Sequence, residues 1–494
     1  MGPDAAARQE LRLAPIIATE ISFLAVAYAT VNVRLFPLRI WFVPIALASI
    51  WNLCSKFAFL DPWTNTFNFG LCVAGFTMFM KLVEITFLRE PPKYDGQVAC
   101  SEPFLLCKRC FINTISYISD VRCLHWENDN PCTIPQDTRG DASHFQFYTH
   151  TFLRFLKHLF IYDTLHAIIE SIGALGTPQG DTIYRRRFAI TKNLEIPAVH
   201  PAIPAVWIAL MVGLVVWHSM TTAHYLCTLL TAPLACSPPS ISPYSRPASA
   251  LKKEWPPLFD NPLVATSLHD FWSRRWHSAF RRNFWVLGVR PGALVGESIG
   301  SLVGNMVEAA IPSGQLISTG FGAGKAPRLK DEAKILGMRI GGVMGVFLIS
   351  GLLHDFGMWG MGQGMDFRHV TGYFLIQGIG LIVESALGMR NPGNRSDKQD
   401  VHNANERVGT ANNHATAKIK QERPSTTLKD RLMTLWVLMW VVVPATMMVE
   451  AWLGRGLAGV VLWPHSLSPA RWMFKLWNRF AFGQSLPDAI HSGD

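Results

Sequence analysis

Apolar runs close to twenty residues long recur along this 494-residue chain, with basic connectors between them. A helix needs roughly 20 apolar residues to cross hydrocarbon, so the runs at 15–31, 36–54 and 68–88 read as three spans. Residues 203–235 hold enough apolar positions for two short spans meeting near His218–Thr222, which is favoured over one long span. A run beginning near Ile340 and closing at His354, and runs at 369–388 and 432–452, supply the later spans. The stretch 145–175 mixes Phe and Leu with Arg154, Lys157, His158 and Asp163, which suits a helix lying in the interface. The tail with Trp472 and Trp477 has the same character. The expected fold is therefore all-α: a multi-pass transmembrane bundle of about 7–9 membrane helices with interfacial helices.

Composition agrees, since only 16% of residues are charged against roughly 25% in soluble domains. The net charge of +10 lies between apolar runs rather than on one soluble face, so it reads as positive-inside patterning toward membrane lipid. No nucleic-acid-binding signature accompanies it. Five of nine cysteines cluster between Cys100 and Cys132, and Cys107-Lys-Arg-Cys110 has zinc-like spacing without a second pair, so no metal site is expected. The first span leads into others and contains Glu20, unlike a cleavable signal. One domain is expected over 1–494. Within it, 236–300 reads as a cytosolic motif-bearing segment and 391–428 as a disordered polar loop, because the latter carries almost no aliphatic or aromatic residues.

Two stretches carry chemistry. Phe347 to Gly360 reads F-L-I-S-G-L-L-H-D-F-G-M-W-G, with His354 at the end of an apolar helix. Such a residue either caps its helix or does chemistry, because an ionisable group in hydrocarbon is costly. Ser267 to Phe284 interleaves aromatic rings and arginines, with His277 among them. That pattern anchors at a bilayer surface and also offers guanidinium forks to phosphate. Two imidazoles, one in each stretch, favour chemistry.

W-P-P-L-F (Trp255–Phe259), A-T-S-L-H-D-F-W-S-R-R-W-H (Ala265–His277) and S-G-L-L-H (Ser350–His354) resemble the wax synthase-like branch of the membrane-bound O-acyltransferases. That branch includes plant wax ester synthases and fungal acetyltransferases of terpenoid and meroterpenoid biosynthesis. Arg122–Pro131 echoes the R-G-I-G-W segment of the branch, with Cys123 and His125 where glycines are common. The resemblance implies an endoplasmic reticulum enzyme with acetyl-CoA or another acyl-CoA as co-substrate and a lipophilic alcohol as acceptor, with no bound cofactor. It implies His354 as the catalytic histidine and Phe271–His277 as the aromatic-arginine motif, similar to the F-Y-x-D-W-W-N of sterol and diacylglycerol acyltransferases. His277 stands where those enzymes have Asn. On this reading His354 takes the hydroxyl proton and His277 donates to the thioester carbonyl or orients substrate. Arg274, Arg275, Trp276, Arg281 and Arg282 are candidates for the coenzyme A site, and Asp270, Phe271 and Trp272 for the substrate site.

Rival motifs are weaker. Gly296-Glu-Ser298-Ile-Gly300 matches a hydrolase nucleophile elbow but lacks the sheet it needs, and the neighbouring glycines and small residues, Gly300 to Gly304 and on to Ala310, suit close helix packing in a membrane. Gly320–Lys325 resembles a phosphate loop whose magnesium-binding Ser or Thr is replaced by Ala326. His158 and Asp163 spell H-x-x-x-x-D, a spacing that does not put both side chains on one helical face. A wax ester synthase using fatty acyl-CoA and fatty alcohol is the alternative within the family. A secondary transporter relaying protons through His354, Glu20, Lys81 and Glu84 is the alternative outside it.

Eight basic residues stand against four acidic ones between 236 and 300, which puts this segment on the cytosolic side. Cysteines introduced at 236–295 should therefore label with an impermeant maleimide in sealed microsomes without detergent. Labelling only after permeabilisation overturns the assignment.

Overall fold

A computed structural model describes residues 8–94, 108–124, 126, 135, 137–140, 143–191, 194–235, 248–310, 329–389, 428–459 and 467–482. The chain is a multi-pass helical membrane bundle. Seven helices among the described residues are long and apolar enough to cross a bilayer. In chain order the helices are α1 (Leu13–Val31), α2 (Arg39–Lys56), α3 (Asn65–Thr86), α4 (Lys108–Ser119), α5 (His144–Glu170), α6 (Ala202–Ala235) and α7 (Ala248–Glu254). A turn follows, α8 (Leu268–Asp270), which continues as a π-helical turn over Phe271–Arg275. Then α9 (Arg281–Phe284) runs through a second π-helical turn, Trp285–Val289, into α10 (Arg290–Ala310). Last come α11 (Leu329–Gly360), α12 (Val370–Ala386), α13 (Leu428–Leu453) and α14 (Pro469–Phe482). Two small two-stranded sheets complete the described part, one of them pairing Gln9–Glu10 with Phe57–Ala58.

The structure corrects the two-span reading of 203–235, because α6 is one unbroken helix. The polar residues that suggested a turn are absorbed within it: Thr221 and Thr222 donate back to the carbonyls of Trp217 and His218, and the His218 ring meets His158 of α5 at 2.7 Å. The amphipathic stretch after Phe145 is the 27-residue helix α5, whose mixed composition keeps it outside the seven candidate spans. Residues 281–300 of the motif-bearing segment belong to a run, Arg281–Ala310, that qualifies as a span in its own right. The polar stretch 391–427 and the loop-like 320–325 lie outside the described residues, and α13 already begins at Leu428.

Two apolar cores hold the bundle. One joins α5, α6, α11, α12, α13 and the turn at Phe271; the other joins α1, α2 and α3 with Tyr117, Trp126 and Trp359. Arg8 links the N-terminal segment to the end of α11 by donating to the carbonyls of Gly360 and Trp359 at 2.6 and 3.1 Å, where the helix ladder has ended. Cys110 of α4 is disulfide-bonded. Its Sγ accepts from the side-chain amide of Asn32, just past the end of α1.

The closest helix pair is α10 with α11. Gly288, Gly292, Gly296 and Gly300 recur every fourth residue and face Gly345, Gly341, Gly337 and Ala333 backbone to backbone. Ser298 of the G-x-S-x-G match lies on α10 with its hydroxyl bonded to the Leu294 carbonyl, so these glycines serve packing and no strand-turn-helix elbow forms. A Cβ at Gly341 would overlap the Gly292 carbonyl oxygen, whereas one at Gly70 meets nothing within 4 Å. Gly341→Val should therefore destabilise the detergent-solubilised protein by about 2 kcal/mol or more in thermal unfolding, and Gly70→Ala should stay within about 0.5 kcal/mol.

Candidate active site

A cavity of about 680 Å³ runs through the middle of the bundle, walled by α3, α6, the segment 262–289, α11, α12 and α13. Its lining is almost wholly apolar and aromatic. The only imidazoles and guanidinium among the described lining residues are His269, His277, His354 and Arg281, and no carboxylate lines it. His277 and His354 are 77 positions apart in sequence and share this one chamber.

His354 sits on α11 one and a half turns before the helix ends. Its Nδ1 lies 2.7 Å from the Ser350 carbonyl oxygen. A carbonyl only accepts, so Nδ1 carries the hydrogen, and in the neutral ring Nε2 keeps its lone pair. Phe374 stacks on the ring at 4.6 Å between centroids and Trp452 at 5.8 Å, which fixes the plane in which that lone pair points. The next residue, Asp355, is fully buried and turned away from the cavity. Its carboxylate accepts from the backbone N–H of Asp366 at 2.8 Å, from the N–H of Thr371 at 3.2 Å and from the Thr371 hydroxyl. The helix carrying His354 is thus tied to the start of α12.

His277 follows the π-helical turn, whose extra residue per turn sets the rings of Phe271, Trp272 and Trp276 against the chamber. Phe271 stacks on Trp276, while Trp272 meets Phe347 of α11 edge-on at 5.5 Å. The imidazole of His277 is packed edge-on against Phe259 and Phe280, and its Nδ1 is buried without a hydrogen-bond partner. Burial, then the neighbouring His354 and Arg281, pushes its pKa down to about 3, so His277 is a neutral donor-acceptor at physiological pH.

The arginines of the motif divide. Arg281 lines the cavity and donates to the carbonyls of Arg274 and Trp276, both at 2.7 Å. Arg274 lies at the surface 3.5 Å from Asp260, and Arg275 is bound to Asp270 at 2.5 Å and to the Asp260 carbonyl. Asp270 is thus a partner of Arg275 and does not line the cavity. Arg282 is buried against Glu84 of α3 at 2.8 Å, and Glu84 also pairs with Lys81 at 3.3 Å. Lys81 in turn donates to Cys123, the neighbour of Arg122, which itself donates to the Pro256 carbonyl and Ser278 hydroxyl. These contacts clamp the motif-bearing segment onto α3 and the 120–124 loop. Of the residues named for a transporter relay, Glu20 is exposed on α1 and Lys81 and Glu84 are paired with each other and Arg282, so none of the three joins His354 in the chamber. Sequence reasoning passed over His269, although it stands inside the quoted L-H-D stretch, and could not see Phe374 and Trp452, whose only signal is contact across helices.

Residues 255–308 match the profile of the family described as Membrane bound O-acyl transferase family. The match supports that family. It covers the segment bearing His277 and the arginines together with α9 and α10, and ends before α11. No curated protein and no solved structure matches the chain. The match supports a membrane-bound acyltransferase, and the seven apolar helices fit an integral membrane protein.

The Glu84–Arg282 pair makes a prediction that separates clamping from donor binding. Glu84→Gln leaves two buried cations short of their anion and should lower stability by about 3 kcal/mol or more in thermal unfolding. Arg274→Gln, at the surface, should cost less than about 1 kcal/mol. If Glu84→Gln unfolds with wild-type stability, the clamp contributes nothing.

Proposed function

We propose that this chain transfers an acyl group, acetyl in the first instance, from acyl-CoA to the hydroxyl of a lipophilic secondary metabolite such as a terpenoid or meroterpenoid, in the endoplasmic reticulum membrane. The observation that carries this reading is the free Nε2 of His354 in an apolar chamber that also holds His277 and Arg281. Esterification from a thioester needs one proton removed from the attacking hydroxyl, and a neutral imidazole whose Nδ1 is already engaged presents a single, oriented base. The alcohol oxygen attacks the thioester carbonyl carbon as its proton passes to Nε2. The tetrahedral centre then collapses, the C–S bond breaks, and the proton on His354 goes to the leaving thiolate, an ordinary thiol of pKa about 8.5. No serine or cysteine nucleophile is needed. His277, donating from one ring nitrogen, would stabilise the oxyanion that forms on the thioester oxygen. Arg281 would meet a coenzyme A phosphate, and Phe271, Trp272 and Trp276 would hold the pantetheine arm and acceptor by ring contact.

The absence of any carboxylate from the described lining fits this chemistry, because a second acid would compete for the proton and repel the phosphates. The volume, within the range of about 300–1,000 Å³ for small-molecule sites, also accommodates the wax ester reading, in which fatty acyl-CoA and a fatty alcohol meet in the same chamber. Product mass spectrometry of membranes given acetyl-CoA with a hydroxylated terpenoid, or palmitoyl-CoA with a fatty alcohol, separates the two.

His354→Ala should lower turnover on the order of 10²–10⁴-fold, since no carboxylate among the described lining residues can replace the base. His277→Asn keeps a donor and should retain part of the activity, while His277→Ala should fall much further. The three variants are compared at equal abundance in the membrane. A His354→Ala variant that esterifies at the wild-type rate removes the proposed mechanism and leaves His354 as a helix cap.

A further inference from the structure

Glu384 is the one acidic residue of α12, an apolar 17-residue helix, and it is 1% exposed. A carboxylate in such a place needs partners. Its two oxygens accept the backbone N–H of Leu268 at 2.8 Å and of His269 at 3.1 Å. These are the first two N–H groups of the turn that carries the aromatic-arginine motif. The next two are satisfied from within: Asp270 N–H goes to the Ser267 hydroxyl at 2.9 Å, and Phe271 N–H goes to the Ser267 carbonyl at 2.9 Å. All four donors that a helix start leaves orphaned are therefore met, half of them by a side chain 115 residues further along the chain. The negative charge also faces the positive end of the turn.

The same helix reaches the other half of the site. Ten residues before Glu384, about 15 Å along α12, Phe374 stacks on His354. Between them Gln377, fully buried, takes the Trp272 indole N–H at 3.4 Å and donates to the Trp440 carbonyl at 3.2 Å. Gly380 lets Leu268 and Trp440 close on the helix between these contacts. One helix thus touches the His354 ring, a motif indole and the motif backbone in succession.

We propose that Glu384 is a positioning residue that holds the start of the Leu268–Arg275 turn against α12 and thereby sets where His277 stands relative to His354. Its role is indirect, since its two carboxylate oxygens take the backbone N–H groups of Leu268 and His269 and it does not line the cavity. The inference rests on the acyltransferase reading for its effect on turnover, but not for its geometry.

Two measurements test it. Amide hydrogen exchange over peptides covering 262–276, read by mass spectrometry on the detergent-solubilised chain, needs no substrate. Glu384→Ala should speed exchange at Leu268 and His269 on the order of tenfold or more while peptides of α10 and α11 keep their protection. Unchanged exchange at Leu268 and His269 overturns the proposal. In the ester-forming assay Glu384→Ala should lower kcat on the order of 10²-fold with little change in donor KM, the signature of a misplaced group. Glu384→Gln, which keeps one acceptor oxygen, should recover part of the loss. A cycle with His277→Ala decides the route: the double variant should be no slower than His277→Ala alone by more than about threefold. Losses that multiply independently overturn the proposal, as does a Glu384→Gln variant that fails to reach the membrane, which would assign Glu384 to folding alone. A wild-type chain that forms no ester removes the functional reading, and the exchange result still decides whether Glu384 caps this turn.

Discussion

Polar side chains inside an apolar bundle have no water to turn to, so each must find its partner on another segment of protein. That constraint decides how this chain is assembled. Glu84 meets Arg282 across 198 positions, Asp163 of α5 binds Ser468 and Arg471 at the start of α14, and Asp355 takes the N–H groups of the α12 entry. Apolar surface alone would let helices slide in hydrocarbon, because lipid tails are as apolar as leucine. Directed bonds stop the sliding. The glycine face between α10 and α11 does the complementary work by bringing two backbones into contact where no polar group is needed.

Three locks border the central chamber without entering it. Arg282 and Glu84 hold the motif-bearing segment from the α3 side, Glu384 holds it from the α12 side, and Asp355 fixes the backbone beside His354. What remains facing the cavity is a set of rings, three imidazoles and one guanidinium. Carboxylates are paired off in the walls, and none lines the chamber among the described residues. Electrostatic contacts with substrate gain strength in such an apolar medium.

The spans and the two histidines were legible in the sequence because both rest on local patterns: a twenty-residue apolar run, and an ionisable residue inside or beside one. α6 was misread because a local cluster of His218, Thr221 and Thr222 resembles a turn, whereas each threonine bonds its own helix and His218 is answered by His158 on α5. The roles of Arg282, Asp270 and Arg275 were equally out of reach, since an arginine that grips phosphate and one that grips a buried glutamate look alike in one dimension. Glu384 was not singled out for the same reason. Its partners are backbone atoms on a turn far upstream, and no side-chain pattern records them. Close helix packing was readable from the small residues around Gly300 and Gly304, whereas the partner glycines of α11 were not, because only the fold brings them opposite.

The tautomer of His354 shows how these levels join. An α-helix already uses most of its carbonyls, yet near position 350 the Ser350 oxygen also takes the imidazole N–H at 2.7 Å, a bond available only because His354 lies one turn further along the same helix. That bond selects Nδ1 as the protonated nitrogen, the rings of Phe374 and Trp452 set the direction of Nε2, and α12 and α13, which carry those rings, are held by the polar locks described above. The structural and catalytic readings of His354 are therefore not exclusive. The bond that one nitrogen makes inside the helix leaves the other nitrogen available to the role proposed for it.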